Sequence, residues 1–485
     1  MDRSIDYAII VAYLIGIAIF GIVKGGKQKT SKDYFQSSDS VQWWAVMFSI
    51  VAAETSTLTF ISIPGLAYLT NLNFLQVTIG YLLGRIVIGT VLLPSYFKGD
   101  LETAYQFLEH RFGGKTRSFA SIVFIFTRMA ADGVRLFATA IPLKLMLDIS
   151  YPVAIIIIAI IALTYTYVGG VKGVIWVDVI QMGIYLGGAI VALGFLMFEF
   201  LPDGFNSIIV ASQADGKMEI FNWGFENGIA GFFAQPYTVL GGILGGAFLS
   251  MASHGTDQLI VQRLLTTKSL EAGKKAIIGS GILVIFQFAL FLLVGLGLYA
   301  FYGTYNLSEI GVTKSDEIFP LFIIQQLPVG FSGIIIAGLF AAALSTLAGS
   351  ISALSSSTML DLYKPFTGIN DDAKELKISR YFTIMWTFLL IGSAFFFMSS
   401  SQTVVELALS IASFTYGGLL GTFLLGLVNK KATQEDALAG FTAGIFIMIT
   451  VIALKIVAWT WFTLLGVIVT IVVGTLLSKL SKNDK

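Results

Sequence analysis

The chain has 485 residues, of which 56% are hydrophobic and only 12% are charged. Soluble domains carry about 25% charged residues, so the composition favours a membrane protein. A net charge of +1 gives no reason to expect nucleic acid as a partner. Without cysteine, the chain can form neither disulfides nor thiolate metal sites. We predict one integral membrane domain over residues 1–485 and no soluble module.

Apolar runs of about 20 residues, the length that crosses a bilayer, recur along the whole chain. They predict an all-α polytopic membrane protein with thirteen transmembrane helices. The predicted spans cover residues 5–23, 43–66, 74–96, 118–146, 151–168, 173–200, 236–262, 275–302, 331–360, 376–399, 402–428, 434–455 and 459–478.

Most of the 30 Lys and Arg residues fall in alternate loops between these spans. The positive-inside rule then places the N-terminus outside and the C-terminus in the cytoplasm of a multi-pass protein of the inner (plasma) membrane. Residues 1–6 are not net basic, and Lys24, Lys27, Lys29 and Lys32 follow the first apolar run. This charge order indicates an uncleaved helix rather than a signal peptide.

Two spans carry polar stretches at mid-membrane, residues 52–59 and 250–258. Polar groups at that depth are tolerated where the helix unwinds beside a cavity. A pair of broken helices in corresponding positions is typical of transporters with inverted repeats. We predict an extra N-terminal helix and loop (5–40), a first five-helix repeat (41–200), a second repeat (236–428) and C-terminal helices with a tail (434–485).

Several stretches resemble the sodium/solute symporter family, whose members carry sugars, proline or sialic acid together with sodium. The resemblance covers nearly the whole chain and rests on residues 103–113 (TAYQFLEHRFG), 169–178 (GGVKGVIWVD), 257–263 (DQLIVQR) and 341–346 (AAALST). It implies the leucine-transporter fold, with one helix before the ten-helix core and two after it. It also implies a transporter in the lipid bilayer that moves a small organic solute together with Na⁺. We expect this transporter to be a monomer.

The resemblance implies a sodium site between the first broken helix and the ninth span. Its ligands are the backbone carbonyls of Ala52, Thr55 and Ala342 and the hydroxyls of Ser345 and Thr346. Na⁺ is the only metal expected.

Some members of the family bind a second sodium ion with two hydroxyls and an aspartate. Here the aspartate matches as Asp178, but the hydroxyl positions read Ala348 and Gly349. We therefore expect one sodium ion per cycle, with Asp178 serving the exit path of the ion.

The solute should bind between the broken helices, where polar and aromatic side chains converge. The candidates are Glu54, Ser56, Thr59, Phe74, Thr78, Ser250, Ser253, His254, Phe414 and Thr415. Three of them, Ser56, Thr59 and Phe74, match the sialic acid transporters. Glu54 replaces a threonine of those proteins, however, and the position of their carboxylate-binding arginine reads Ala131. Sugars, polyols, sugar acids, amino acids and carboxylates all stay open as the solute.

The fourth span carries Arg128, Asp132 and Arg135, whose spacing places them on one helix face. The cluster is either a binding site for a carboxylate or a structural triad that neutralises itself, and the sequence leaves both open. Arg85 in the third span is expected to anchor a helix end at the membrane surface.

Two other functions stay open. A proton-coupled carrier on the same fold would titrate Glu54, Asp178 or His254. A membrane-embedded solute sensor would need an output domain, and none is expected because the chain ends at residue 485, shortly after the last span. An enzyme is not expected, since the sequence has no paired carboxylates, metal cluster or nucleophile elbow.

Overall fold

A computed structural model describes residues 3–37, 40–99, 101–147, 149–226, 228–267, 269–303, 305–398 and 404–483. The side chains of residues 58, 141–142, 145–147, 404–414 and 481–483 lie outside this description. Within the described residues the chain is helical and forms no strand. The predicted all-α class is confirmed.

The helices of the first half are α1 (Ser4–Gly25), α2 (Ser31–Gln36), α3 (Trp43–Glu54), α4 (Thr57–Leu69), α5 (Leu75–Val87), α6 (Leu93–Lys98), α7 (Ala104–Phe112), α8 (Gly114–Leu147), α9 (Tyr151–Phe195), α10 (Phe205–Ala214) and α11 (Gly228–Ala234). Those of the second half are α12 (Gly246–Gly255), α13 (Gln258–Leu265), α14 (Leu270–Tyr302), α15 (Leu307–Ile310), α16 (Ile318–Gln325), α17 (Phe331–Ser357), α18 (Lys364–Thr367), α19 (Asp372–Phe397), α20 (Val404–Val428), α21 (Gln434–Ala453) and α22 (Phe462–Asn483). Short π-helical turns continue several of them, at Ile88–Leu92, Leu196–Phe200, Gly241–Gly245 and Thr358–Tyr363.

Eight of the described helices are long and apolar enough to cross a membrane, or nine if the bent pair α3–α4 counts as one span. The remaining predicted spans differ from simple apolar helices for physical reasons. α8 carries three charges at mid-length, α12 and α13 are separated by a break, and much of α20 lies outside the described side chains. The count of thirteen therefore stays a prediction.

The predicted fifth and sixth spans correspond to two helical arms of α9, which is not a continuous helix. A kink at Gly170, where φ is +56°, divides it into two arms. A Cβ atom at this position would lie 2.7 Å from the Tyr34 carbonyl oxygen, so both the backbone conformation and the space require glycine. With its π-helical turn the element spans 50 residues, about 75 Å at 1.5 Å per residue. That length suffices for two crossings.

α17 lies at the centre of the bundle: its most apolar stretch is 94% buried, against 22% for α1 at the periphery. Asp6 fixes α1 to the beginning of α17 by accepting hydrogen bonds from the Gly330 and Gly333 N–H groups and from the Ser332 hydroxyl. A carboxylate at a helix N-terminus satisfies donors that have no partner within the helix.

α5 and α12 approach so closely that only glycine fits between them. A Cβ atom on Gly80 would overlap the Ile243 carbonyl oxygen, and one on Gly246 would lie 2.5 Å from the Val77 carbonyl oxygen. Small residues allow such close approach between membrane helices. This contact fixes the second broken helix against α5.

Candidate functional site

The first break separates α3 from α4 at Thr55 and Ser56, both in extended conformation. The axes of the two helices differ by 65°. Because the chain leaves the helix here, carbonyl groups at the end of α3 lose their next-turn partners. The Thr55 hydroxyl accepts a hydrogen bond of 2.7 Å from the Gln287 side chain, which ties the break to α14.

α17 runs alongside this break. After the break, the Thr57 hydroxyl lies 3.5 Å from the Leu339 carbonyl oxygen of α17. On the other side of the break, the Ser49 hydroxyl of α3 donates a hydrogen bond of 2.5 Å to one carboxylate oxygen of Asp178. The Ser345 hydroxyl of α17 donates one of 2.6 Å to the other oxygen. The structure thus brings the two elements of the predicted sodium site side by side.

The five predicted sodium ligands are all buried. Thr346 donates a hydrogen bond of 3.1 Å to the carbonyl oxygen of Ala342, so two of these oxygens are already adjacent. Ser345 donates its hydroxyl proton to Asp178, which leaves the lone pairs of its oxygen for another partner. Carbonyl and hydroxyl oxygens are ligands that suit a hard cation.

Asp178 is fully buried and forms an ion pair of 3.0 Å with Arg263 of α13. Arg263 also donates to Ser49 and to the Leu259 carbonyl oxygen. A Cβ atom on Gly349 would lie 2.5 Å from an Arg263 guanidinium nitrogen. The guanidinium group therefore occupies the space beside Gly349, and sequence reasoning missed Arg263 although it lies in the quoted DQLIVQR stretch.

A small cavity adjoins the first break on the side of α8 and α17. We call it the Arg135 cavity; it is lined by Ser56, Thr57, Asp132, Arg135, Leu136, Thr139, Ala343, Thr346 and Leu347. It holds one predicted sodium ligand, Thr346, together with one predicted solute residue, Ser56. Arg135 is the most exposed charged side chain on it, at 26%.

A second small cavity lies between α8, the second break and α20. We call it the Arg128 cavity; it is lined by Val123, Phe124, Thr127, Arg128, Ala131, Asp257, Thr415, Tyr416 and Leu419. The predicted solute residue Thr415 lines the Arg128 cavity, whereas Ser56 lines the Arg135 cavity.

The predicted charge cluster on α8 is formed as the spacing indicated, with Asp132 between the two arginines. Asp132 lies 3.2 Å from Arg128 and 3.0 Å from Arg135. The structure adds a fourth member, Asp257 at the second break, 3.7 Å from Arg128. With Asp257 the cluster contains two positive and two negative groups.

Glu54, the last residue of α3, forms a buried network with α5 and α12. It pairs with Arg85, whose guanidinium also lies 3.0 Å from His254 Nε2 and donates to Ser280. The expectation that Arg85 anchors a helix end is wrong: its side chain is fully buried, and Glu54 supplies its countercharge inside the bundle.

His254 Nε2 lies 3.0 Å from the Arg85 guanidinium and 3.4 Å from Glu54 Oε2, and the contact with Arg85 favours a neutral imidazole. Arg85 has no acceptor atom, so His254 Nε2 must accept its hydrogen bond. The Ser253 hydroxyl donates to the Leu249 carbonyl oxygen at 2.9 Å and lies 2.8 Å from His254 Nδ1. The imidazole proton is therefore assigned to Nδ1.

The other predicted solute residues lie apart from these networks. Phe74 stacks on Phe288 with ring centroids 5.0 Å apart, and Thr78 donates to the Leu75 carbonyl oxygen. The Ser250 hydroxyl is buried without a hydrogen-bond partner among the described residues. Thr59 is partly buried in the first turn of α4, and the side chain of Phe414 lies outside the described part of the chain. The nine candidates whose side chains are described therefore do not converge on one cavity.

A bundle of apolar, membrane-length helices with two broken helices beside small cavities is typical of secondary transporters. The model of the sodium:solute symporter family matches residues 34–444, and the chain belongs to this family. It is 29% identical to the sodium/sialic acid symporter NanT of Aliivibrio fischeri, over 99% of this chain and 94% of that protein. It is 28% identical to the sodium/sialic acid symporter SiaT of Proteus mirabilis, over 98% and 95%.

Among solved structures, the chain is similar to a Na⁺-coupled sialic acid symporter in a substrate-bound outward-open state. The TM-score is 0.86, with 26% identity and coverage of 98% of both chains. The protein is thus a multi-pass, Na⁺-coupled transporter and not an enzyme.

Proposed function

We propose that this protein carries a small organic solute across the membrane in symport with sodium, by alternating access. The observation that carries the proposal is the Arg135 cavity, where Thr346 of the predicted sodium site and the polar side chains of Ser56 and Arg135 line one space. An ion and a solute bound at such close range stabilise the same conformation, and this linkage couples their transport.

Sodium binds in this proposal to the carbonyls of Ala52, Thr55 and Ala342 and to the hydroxyls of Ser345 and Thr346. The ion joins the first break to α17 and favours the conformation open to the outside, in which the solute binds. Closure then exposes the site to the cytoplasm, where sodium is scarce. A membrane potential of 100 mV contributes about 2.3 kcal/mol for one charge moved.

One sodium ion per cycle is supported by Arg263. Its guanidinium group already pairs with Asp178 and fills the space beside Gly349. A second ion at Asp178 would have to displace this internal cation.

The topology proposed from the sequence completes this function. Thirteen crossings form two inverted repeats, 41–200 and 236–428, with one helix before them and two after. The N-terminus lies outside, the C-terminus is cytoplasmic, and the protein acts as a monomer.

Proton coupling at Glu54, Asp178 or His254 is the second candidate. It is disfavoured because both carboxylates are held by arginines and the histidine accepts a hydrogen bond from one of them. Protonating any of the three would break such a contact.

The test is uptake into proteoliposomes of solutes found by a thermal-shift screen in sodium and in potassium. We expect uptake that depends on sodium at fixed pH, and Thr346→Ala to raise the sodium concentration for half-maximal uptake. Thr387→Ala is the matched control, since Thr387 is equally buried and donates to the carbonyl four residues earlier. Equal uptake in both salts would refute sodium coupling.

A further inference from the structure

Arg380 on α19 pairs with no carboxylate among the described residues. Each of the other seven arginines of the chain pairs with a carboxylate or donates to backbone carbonyls. Arg380 donates one hydrogen bond, of 3.3 Å, to the side-chain oxygen of Gln28 in the loop after α1, and its Nε is buried without a described partner. Buried donors are almost always satisfied, so this guanidinium group lacks an acceptor.

Two tyrosine rings hold the guanidinium group in place. Its central carbon lies 5.9 Å from the ring centre of Tyr34 and 5.7 Å from that of Tyr167, within the range of cation–π attraction. Tyr34 is itself fixed between helices, because its hydroxyl donates to the Thr166 carbonyl oxygen and lies 3.0 Å from the Thr383 hydroxyl. The guanidinium group therefore stays where α19, the arm of α9 before the kink and the loop after α1 meet, and it offers its free donors in a preset geometry.

Beside Arg380, one face of α19 is exposed along most of the helix. Lys377, Tyr381, Met385 and Phe388 recur at intervals of three or four residues and so share this face. Lys377 is exposed, and the three apolar residues are 57%, 36% and 60% exposed. The face begins with a cation and continues with aromatic and aliphatic side chains for about 16 Å. This order matches a phospholipid, whose charged headgroup is followed by acyl chains.

We propose that Arg380 binds the phosphate of an anionic phospholipid of the cytoplasmic leaflet, whose acyl chains lie along the exposed face of α19. The leaflet follows from the predicted topology, which places the loop before α19 in the cytoplasm. This inference goes beyond the proposed symport function and does not depend on it.

The chemistry of the site favours an anionic headgroup over a zwitterionic one. Two phosphate oxygens match the guanidinium fork, and basic pockets between transmembrane helices on the cytoplasmic side bind anionic headgroups. Lys27, which precedes Gln28, and Lys377 are both exposed and add positive charge beside Arg380. The choline group of phosphatidylcholine would bring a further cation to this basic surface, whereas phosphatidylglycerol brings none.

The experiment measures lipid preference beside Arg380 through a single introduced thiol, since the chain has no cysteine of its own. Tyr381→Cys is labelled with bimane and reconstituted into phosphatidylcholine vesicles. These contain a small share of doxyl-labelled phosphatidylglycerol or, with the same acyl chains, doxyl-labelled phosphatidylcholine. A doxyl group quenches a nearby bimane, so the ratio of quenching by the two lipids gives their relative occupancy. Both leaflets have the same composition, and the orientation of the protein therefore does not affect the ratio.

Phe446→Cys on α21 is the matched control position. Phe446 is 66% exposed, and α21 follows a loop that contains Lys430 and Lys431. Bimane at this position reports the general attraction of anionic lipid to a basic loop, without an arginine held between aromatic rings.

We expect the preference for phosphatidylglycerol at Tyr381→Cys to exceed that at Phe446→Cys by roughly tenfold, the factor of one hydrogen bond to a charged group. Arg380→Gln should lower it to the control value, and Arg380→Lys should keep part of it, because an ammonium group contacts phosphate without the fork. Lys430→Gln should leave it unchanged. Since Arg380→Gln also removes the contacts with both tyrosine rings and can unfold the protein, the comparison of the two positions with Arg380 intact decides by itself.

Equal preferences at the two positions would overturn the proposal and assign the free donors of Arg380 to water. A preference that persists in folded Arg380→Gln would overturn the role of Arg380. A preference that millimolar inorganic phosphate abolishes would overturn the lipid and assign the site to a soluble anion. Sodium-driven uptake is not part of this measurement, so a failure of the symport function leaves its result unchanged.

Discussion

Asp178→Asn is expected to destabilise the protein strongly, although it changes one oxygen into an NH₂ group. Asp178 is fully buried and accepts from Ser49, Ser345 and Arg263 at 2.5 to 3.0 Å. The substitution leaves the Arg263 guanidinium, itself 2% exposed, without a countercharge. Removing one partner of a buried ion pair costs about 3–5 kcal/mol. Ser345→Ala, which removes one hydrogen bond to a charged group, costs about 1.5–3 kcal/mol.

The assay is thermal unfolding of the purified protein for Asp178→Asn, Arg263→Gln and the double variant. Since the double variant leaves no unpaired charge, its loss should be clearly smaller than the sum of the single losses. Glu271→Gln is the control, because the Lys274–Glu271 pair is solvent-exposed and such pairs contribute at most about 1 kcal/mol. Additive losses in the double variant would refute the interpretation of Asp178 and Arg263 as a coupled pair.

Three further predictions concern separate sites. Ser345→Ala and Thr346→Ala should each raise the sodium concentration for half-maximal uptake before they lower the maximal rate; an unchanged sodium response would refute the ligand assignment. Glu54→Gln should lower the melting temperature with no solute present, because it leaves the fully buried Arg85 unpaired; a loss of solute affinity alone would instead make Glu54 a solute ligand. Burial lowers the pKa of Lys217 from 10.5 to about 8. The unfolded chain therefore binds more protons than the folded one between pH 8 and 10.5, and the stability of the protein should rise with pH across this window relative to that of Lys217→Arg. If the stabilities of the two proteins change in parallel with pH, the pKa of Lys217 is not lowered.

The sequence predicted the elements of the site but not all of its partners. The polar stretch at 52–59 indicated a break, and the structure places it at Thr55 and Ser56. The spacing of Arg128, Asp132 and Arg135 indicated a shared helix face because helical periodicity is a local property. In both cases the signal lay within one segment.

Contacts between segments far apart in the sequence could not be predicted in this way. Glu54 was placed in the solute pocket because it lies at the break, yet its side chain pairs with Arg85 on α5. Asp257 joins the charge cluster on α8, although it lies at the second break, directly before α13, and far from α8 in the sequence. Neither pairing follows from hydropathy or spacing, since both depend on how α5, α8 and α12 pack. The sequence did offer one signal, the balance of charges, because each intramembrane carboxylate needs a cation nearby.

This balance divides the buried charges around the two breaks into three groups. Glu54 pairs with Arg85 beside a neutral His254, Asp178 pairs with Arg263, and Asp132 and Asp257 share two arginines. Each group sums to zero. None of the three groups has an unpaired carboxylate that could neutralise a bound sodium ion. A sodium ion held by neutral carbonyl and hydroxyl oxygens therefore raises the net charge of the protein by one.

The charge of the solute then decides whether membrane voltage drives the loaded step. One sodium ion with a monocarboxylate brings no net charge into the neutral bundle, and uptake should not respond to voltage. One sodium ion with a neutral sugar brings one positive charge, and an inside-negative potential of 100 mV should favour accumulation by about 2.3 kcal/mol, roughly fiftyfold. Potassium gradients with valinomycin set this potential in proteoliposomes. Indifference to voltage together with dependence on sodium is the result expected if the transported solute carries one carboxylate, whereas a fiftyfold response would assign the solute to the neutral class.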